Sequence, residues 1–184
     1  MLRQSGSIET FKASFEGRLQ ALSQAHDLLT RSNWEGAELA TVTARALKPF
    51  DRGNPSPITI DGPNIVLIPR AALVLSMTVH ELATNAAKYG ALSTATGRLT
   101  VGWRVEAHNG GERLVLTWRE RGGPLVKPPA KRGFGSSLIE RGVGYELDAE
   151  VKLDYAPEGL DCEIRLPWPI ASDDVSEGDL AMAA

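Results

Sequence analysis

The sequence has a single cysteine in 184 residues. Cys162 therefore has no partner for an intrachain disulfide and cannot build a cysteine zinc cluster. Histidine is nearly as scarce. His26, His80 and His108 lie far apart, which argues against a histidine-based metal site. His80-Glu81 does not continue as a zincin motif, because Thr84 stands where the second histidine is needed. No apolar run approaches the ~20 residues that span a bilayer, and the N-terminus has no signal-peptide hydrophobic stretch. There is no excess of positive charge either. Lys and Arg number 20 against 23 Asp and Glu, a net charge of −3, without the basic footprint of nucleic-acid binding. Four of the acids, Asp173, Asp174, Glu177 and Asp179, fall in the stretch 171–184, and the rest of the chain balances at 20 basic to 19 acidic residues. No internal repeat is visible. These absences lead us to expect a cytoplasmic protein, or a cytoplasmic piece of a larger one, with no nucleic-acid partner and no direct membrane insertion.

What is present reads as globular: 42% apolar and 23% charged residues. A chain of this length buries roughly 70% of the surface it exposes when unfolded, so it needs no staple. Residues 1–8 are small and polar and are expected to fray. Phe11, Phe15, Leu19, Leu22 and Leu29 recur at helical steps and predict one apolar stripe on a helix from Glu9 to about Thr30. A second helix is expected from Gly36 to Leu47, stopped by Pro49. Ile58–Ile60 and Ile65–Ile68 flank Asp61-Gly62-Pro63-Asn64 and predict a hairpin. Ala71–Tyr89 is the longest periodic segment, with Gly90 suited to a left-handed cap. Leu99, Val101, Trp103 and Val105 alternate, as do Leu114, Leu116 and Trp118, giving two strands joined through Asn109-Gly110-Gly111. After the Gly/Pro-rich stretch 121–135 a helix is expected from Ser136 to Leu147, then strands near Glu150–Tyr155 and Cys162–Leu166, then an acidic disordered tail. The order is α+β: a mixed sheet covered by helices on one face.

Three features carry chemistry. On the long helix, Leu75, Val79, Leu82, Ala86 and Tyr89 make the apolar stripe, while Glu81, Asn85 and Lys88 share another face. A carboxylate, an amide and an ammonium projecting together can activate an imidazole, hold Mg²⁺ and neutralise phosphate, or can be a solvated face with a Glu–Lys pair. Asn inside a helix is poor helix chemistry, which favours the functional alternative. Glu120 ends a strand on the same inward face as Trp118 and needs a partner there, with Gly122-Gly123 just beyond. Gly133-Phe134-Gly135-Ser136 opens a helix, as a phosphate site or a flexible connector.

Taken together and in this order, these elements resemble the ATP-binding domain shared by sensor histidine kinases, DNA gyrase and MutL. Glu81-x-x-x-Asn85 looks like that superfamily's N box and Gly133-Phe134-Gly135 like its second glycine-rich box. The first such box departs from Asp-x-Gly-x-Gly and reads Trp118-Arg119-Glu120-Arg121-Gly122-Gly123. His80 before the N-box Glu, with Trp118 and Glu120, is similar to the signature of the HWE histidine kinases. The resemblance runs from about Phe15 to Trp168.

It implies a two-layer α/β sandwich of the Bergerat type over residues 36–170, preceded over 9–31 by the second helix of a dimerisation hairpin and followed by the tail 171–184. It implies Mg-ATP binding and transfer of the γ-phosphoryl group to a histidine in two-component signalling. Asn85 would be the Mg²⁺ ligand, Glu81 the base, and His80 a second catalytic candidate. Lys88, Tyr89, Glu120, Gly122, Gly133, Phe134, Gly135 and Ser136 would hold the nucleotide, Glu120 reading the adenine amino group. Arg121, Lys127, Lys131 and Arg132 would form a cationic lid. Expected partners are a histidine-bearing helix from a longer chain or another molecule, since no histidine precedes Phe11, together with a response-regulator receiver domain and a second copy of the chain. The rival expectations are an anti-sigma-type serine/threonine kinase and a non-catalytic dimeric scaffold.

Overall fold

The computed structural model describes residues 5–31, 34–53, 55–126, 139 and 142–170. Its elements are α1 (Ser5–Arg31), β1 (Ala37–Glu38), α2 (Leu39–Leu47), β2 (Ile58–Asp61), β3 (Val66–Leu67), α3 (Pro69–Tyr89), β4 (Arg98–His108), β5 (Gly111–Arg121), α4 (Val143–Leu147), β6 (Glu150–Ala156) and β7 (Gly159–Trp168). Short 3-10 turns, Lys48–Phe50 and Ala91–Ser93, follow α2 and α3. Five strands form one mixed sheet in the order β2-β4-β5-β7-β6, in which β2 runs parallel to β4 and the other neighbours are antiparallel.

The two periodicities of the sequence meet in the core. Period two puts Leu99, Val101 and Trp103 of β4, Leu114, Leu116 and Trp118 of β5, and Cys162, Ile164 and Leu166 of β7 on one face. Leu75, Val79, Leu82 and Ala86 of α3 close over that face. Each large apolar side chain withdrawn from water contributes roughly 1.5–3 kcal/mol. Pro69 starts α3 in the first turn, where its missing N–H has no helical partner to lose. Asn109 and Gly110 both take positive φ in the tight β4–β5 turn, as their residue types predict.

Several boundaries differ from the sequence reading. The expected hairpin across Asp61–Asn64 does not form. Ile58–Asp61 pairs in parallel with Leu99–Gly102, whereas Val66–Leu67 pairs with Ala37–Glu38 in a separate two-stranded ribbon. The loop between β2 and β3 packs against Trp103. Its Nε1 donates to Pro63 O at 2.8 Å, and a Cβ at Gly62 would lie 2.5 Å from the indole. Gly36, at φ +127°, leads into β1, so α2 begins at Leu39 rather than Gly36. Helix α1 is longer than α3 and starts at Ser5, inside the stretch expected to fray. Of the last expected helix, Val143–Leu147 is α-helical, while residues 136–138, 140 and 141 and the tail 171–184 lie outside the described residues.

The predicted stripe on α1 also divides. Ala21, Ala25 and Leu29 are buried, whereas Phe15, Leu19 and Leu22 are 55%, 57% and 38% exposed. Small residues let α1 lie close against the domain, and Phe15, Leu19 and Leu22 lie on its exposed side. Among the described residues no helix is long and apolar enough to cross a membrane.

Burial pushes the Cys162 thiol up to about 12. Its thiolate fraction near neutral pH is then about a thousandfold below that of a free cysteine. We expect a disulfide-exchange reagent to label Cys162 slowly in the native protein and quickly after denaturation. Equal rates in the two states would contradict the core position.

Candidate functional site

The helix α3 distributes its expected site residues around its circumference. Glu81 is 3% exposed, Asn85 one turn later is half-buried, and Lys88 and Tyr89 are exposed at the C-terminal end. Neighbouring residues on a helix diverge by about 100°, and His80 accordingly leaves this set. Its ring lies 5.5 Å from Phe50, centroid to centroid, and its Nε2 is 2.9 Å from where a Cβ on Gly17 would stand. His80 thus sits where α1, α3 and the turn after α2 converge, and Gly17 is the socket that admits its ring. His26 and His108 are exposed; His26 meets Trp34 edge-on at 5.2 Å.

Beyond the end of α3 the chain turns sharply against the end of β5. Glu120 is 2% exposed. One of its oxygens, Oε1, accepts from the Trp118 indole Nε1–H at 2.9 Å, and Oε2 accepts from the Ala91 backbone N–H at 2.8 Å. Both hydrogen bonds favour the carboxylate, but burial outweighs them and holds the Glu120 carboxyl above its ordinary range.

Glycines crowd this junction for reasons of space. A Cβ at Gly90 would collide with Glu120 Oε2, one at Gly97 with Ala91 O, and one at Gly159 with Glu120 O. Gly90 has φ −113° and ψ −152°, so the left-handed cap expected for it is not adopted. Its lack of a side chain makes room for the carboxylate instead. Gly122 has φ +71°, and its carbonyl accepts from Thr94 Oγ1 at 3.0 Å and Thr96 Oγ1 at 3.1 Å. The segment 90–97 is in this way tied to the segment 120–123 by side chains and backbone alike.

Arg121 differs from its expected place in a cationic lid. Its guanidinium makes two 2.8 Å bonds to Asp161 and also donates to Glu120 O at 2.6 Å. The pairing holds the Asp161 carboxyl below its ordinary range. Lys127, Lys131 and Arg132 lie outside the described residues, as do Gly133, Phe134, Gly135 and Ser136. Among the described residues no group of three or more His, Cys, Asp or Glu side chains could hold a metal ion by itself. Sequence reasoning singled out Glu81, Asn85, Trp118 and Glu120 as candidates and passed over Ala91, Gly17 and Phe50, which the structure packs against Glu120 and His80. Their contribution is a backbone N–H, a gap and a ring face, none of which has a residue-type signature.

The raised carboxyl gives a signed prediction. The folded protein binds the Glu120 proton more tightly than the unfolded chain does. Its contribution to stability is complete below the ordinary carboxylate range and is lost as pH rises through the folded value. Glu120→Gln cannot titrate. Urea-unfolding free energies should therefore show the parent losing stability relative to Glu120→Gln as pH rises from about 4 to 7. A difference that stays constant across that window would contradict the buried-carboxyl assignment.

The chain is similar to known proteins in both sequence and fold. The sequence model of a family described as HWE histidine kinase matches residues 1–64. Blue-light-activated histidine kinases of Brucella ovis and Brucella anthropi are 38% and 39% identical to the chain over 166 residues, 90% of its length. The matched stretch is 34% of each relative, so the chain spans about a third of the curated relatives it matches. The histidine kinase domain from the Erythrobacter litoralis EL346 blue-light activated histidine kinase shares the fold at a TM-score of 0.63 and 20% identity, covering 84% of this chain and 74% of that one. The Acinetobacter baumannii histidine kinase AdeS does so at 0.58 and 17%, covering 88% and 80%. The His80, Trp118 and Glu120 signature, the helix-covered mixed sheet and the similarity along nine-tenths of the sequence agree: the chain belongs to the HWE histidine kinase family, as a catalytic region of that family.

Proposed function

We propose that this chain binds Mg-ATP and transfers its γ-phosphoryl group to a histidine in two-component signalling. The observation that carries the reading is the face of α3, where buried Glu81 and half-buried Asn85 stand one turn apart and exposed Lys88 and Tyr89 follow. An amide and a carboxylate are hard oxygen donors of the kind Mg²⁺ takes, with waters and phosphate oxygens completing its shell. Asn85 would hold Mg²⁺, which when bound supplies neutralisation of the phosphate charge. Lys88 neutralises a further phosphate oxygen. Glu81 orients the acceptor imidazole or takes its proton, and burial keeps water from competing for that carboxylate. The nucleotide lies between this face and the glycine-bearing end of β5, with Gly133, Phe134, Gly135 and Ser136 supplying backbone N–H groups to the phosphates. In phosphoryl transfer of this kind catalysis is chiefly positioning and charge stabilisation.

The domain reading is that residues 36–170 form the catalytic unit and 9–31 the second helix of a dimerisation hairpin. The acceptor histidine is carried by a dimerisation helix of a longer chain or a partner, and a receiver domain takes the phosphoryl group onward. The outward face of α1, with Phe15, Leu19 and Leu22, meets the same face of a second copy. Closed twofold pairing is the commonest way to cover such a face.

Three measurements test this. Asn85→Ala keeps helix propensity, so the fold should survive. Calorimetry should then show Mg-dependent ATP affinity falling at least about tenfold, the scale of one lost charge-assisted contact. Unchanged affinity would remove Asn85 from the site. In the parent, radiolabel transferred to a histidine-bearing helix should be acid-labile, and acid-stable label would favour a hydroxyl acceptor. For the pairing of α1, sedimentation should find a dimer that dissociates when Phe15 and Leu22 are both made polar, with ATP affinity retained. A parent that stays monomeric at high concentration would contradict the pairing and leave the nucleotide reading standing.

A further inference from the structure

We propose that Glu120 is a positioning residue: with Trp118 it forms a buried clamp that fixes the backbone where α3 ends, and so sets the placement of Lys88 and Tyr89 for the nucleotide. Any effect on nucleotide binding rests on the function proposed above, whereas the clamp does not. Three independent features of the structure support it. Both carboxylate oxygens are engaged inside the protein, Oε1 by Trp118 Nε1 at 2.9 Å and Oε2 by Ala91 N at 2.8 Å. The residue is 2% exposed, so its carboxylate is enclosed by the protein on the inner side of β5. The surrounding backbone is built to admit it, since side chains at Gly90 and Gly159 would strike Glu120 itself, and one at Gly123 would come within 2.8 Å of Ala91.

The geometry gives the Trp-x-Glu spacing a mechanical meaning. Residues two apart on a strand share a face. The indole of Trp118 is therefore placed beside the Glu120 carboxylate on the inner side of the sheet, and it holds that group in one rotamer. The second oxygen then reaches across to the first backbone N–H after the Gly90 cap, a contact between residues 29 apart in sequence. A donor left facing a carboxylate too short, or an amide with only one acceptor, cannot satisfy both N–H groups.

Hydrogen exchange and nucleotide affinity in three variants test the proposal. Measurements are made on the full chain at a temperature where circular dichroism shows every variant folded. Ala91 amide exchange, read without nucleotide, should speed by about tenfold in Glu120→Gln and further in Glu120→Ala, the scale of one charge-assisted bond. Trp118→Phe keeps the ring and removes the donor, and it should speed the same amide less. Affinities for ATP and for inosine triphosphate, which carries an oxygen in place of the adenine amino group, should fall by the same factor in Glu120→Gln. Unchanged Ala91 exchange in Glu120→Gln and Glu120→Ala would overturn the clamp. A loss of ATP affinity with inosine triphosphate untouched would overturn it too, by showing that Glu120 reads the base directly. A parent that binds neither nucleotide would defeat the proposed function, while the exchange of Ala91 would still decide the clamp.

Discussion

A buried carboxylate has to be answered by donors, and in this chain the answer links the sheet to its principal helix. Glu120 stands on the inner face of β5, opposite Leu99 and two residues from Trp118. Leaving such a group unpaired in the interior would cost several kcal/mol. The pairing it finds, indole N–H on one side and the Ala91 N–H on the other, spans the gap between the two layers. Apolar packing of α3 over β4, β5 and β7 supplies the bulk of the stabilisation but is tolerant of small slides. The carboxylate bridge is directional, and it sets the end of α3 at a defined height over the sheet.

The other contacts of α3 make sense around that fixed point. Its apolar stripe faces the strands from Leu75 to Ala86 while Tyr89, expected to continue it, is exposed; its Glu81–Asn85 edge faces the proposed nucleotide, and His80 faces α1 and Phe50. The adjacent residues His80 and Glu81 thereby look toward two different neighbours. One helix joins the contact with α1 to the proposed nucleotide face, and the three signature residues lie at the two structural junctions that hold it: His80 at one, Trp118 and Glu120 at the other.

Much of this was legible from residue types and spacing. Period-two and period-3.6 patterns gave the helix-covered mixed sheet, and an inward Glu on a strand announced that it needed a partner. The expected Asp61–Asn64 hairpin failed because local turn chemistry could not reveal that Ile58–Asp61 has a parallel partner some 40 residues away, as the register with Leu99–Gly102 requires. Gly90 was read by its conformational freedom and proved to matter for the volume it leaves empty. The stripe on α1 looked continuous because periodicity cannot say which of two faces of a helix meets the domain. Burial of Ala21 and Ala25 beside exposed Phe15 and Leu19 shows that closeness of approach, rather than hydrophobic size, chose the face.

In the proposed function the α3 face and the end of β5 form one nucleotide site. Titration of the isotopically labelled chain with Mg²⁺ and a non-hydrolysable ATP analogue, followed by backbone amide shifts, addresses it most directly. Saturable shifts should concentrate at Asn85, Lys88, Tyr89 and Gly122 and weaken when Mg²⁺ is chelated. Shifts confined to the outer face of the sheet, around Arg104, Thr117 and Glu163, or no saturable shifts at all, would contradict that site.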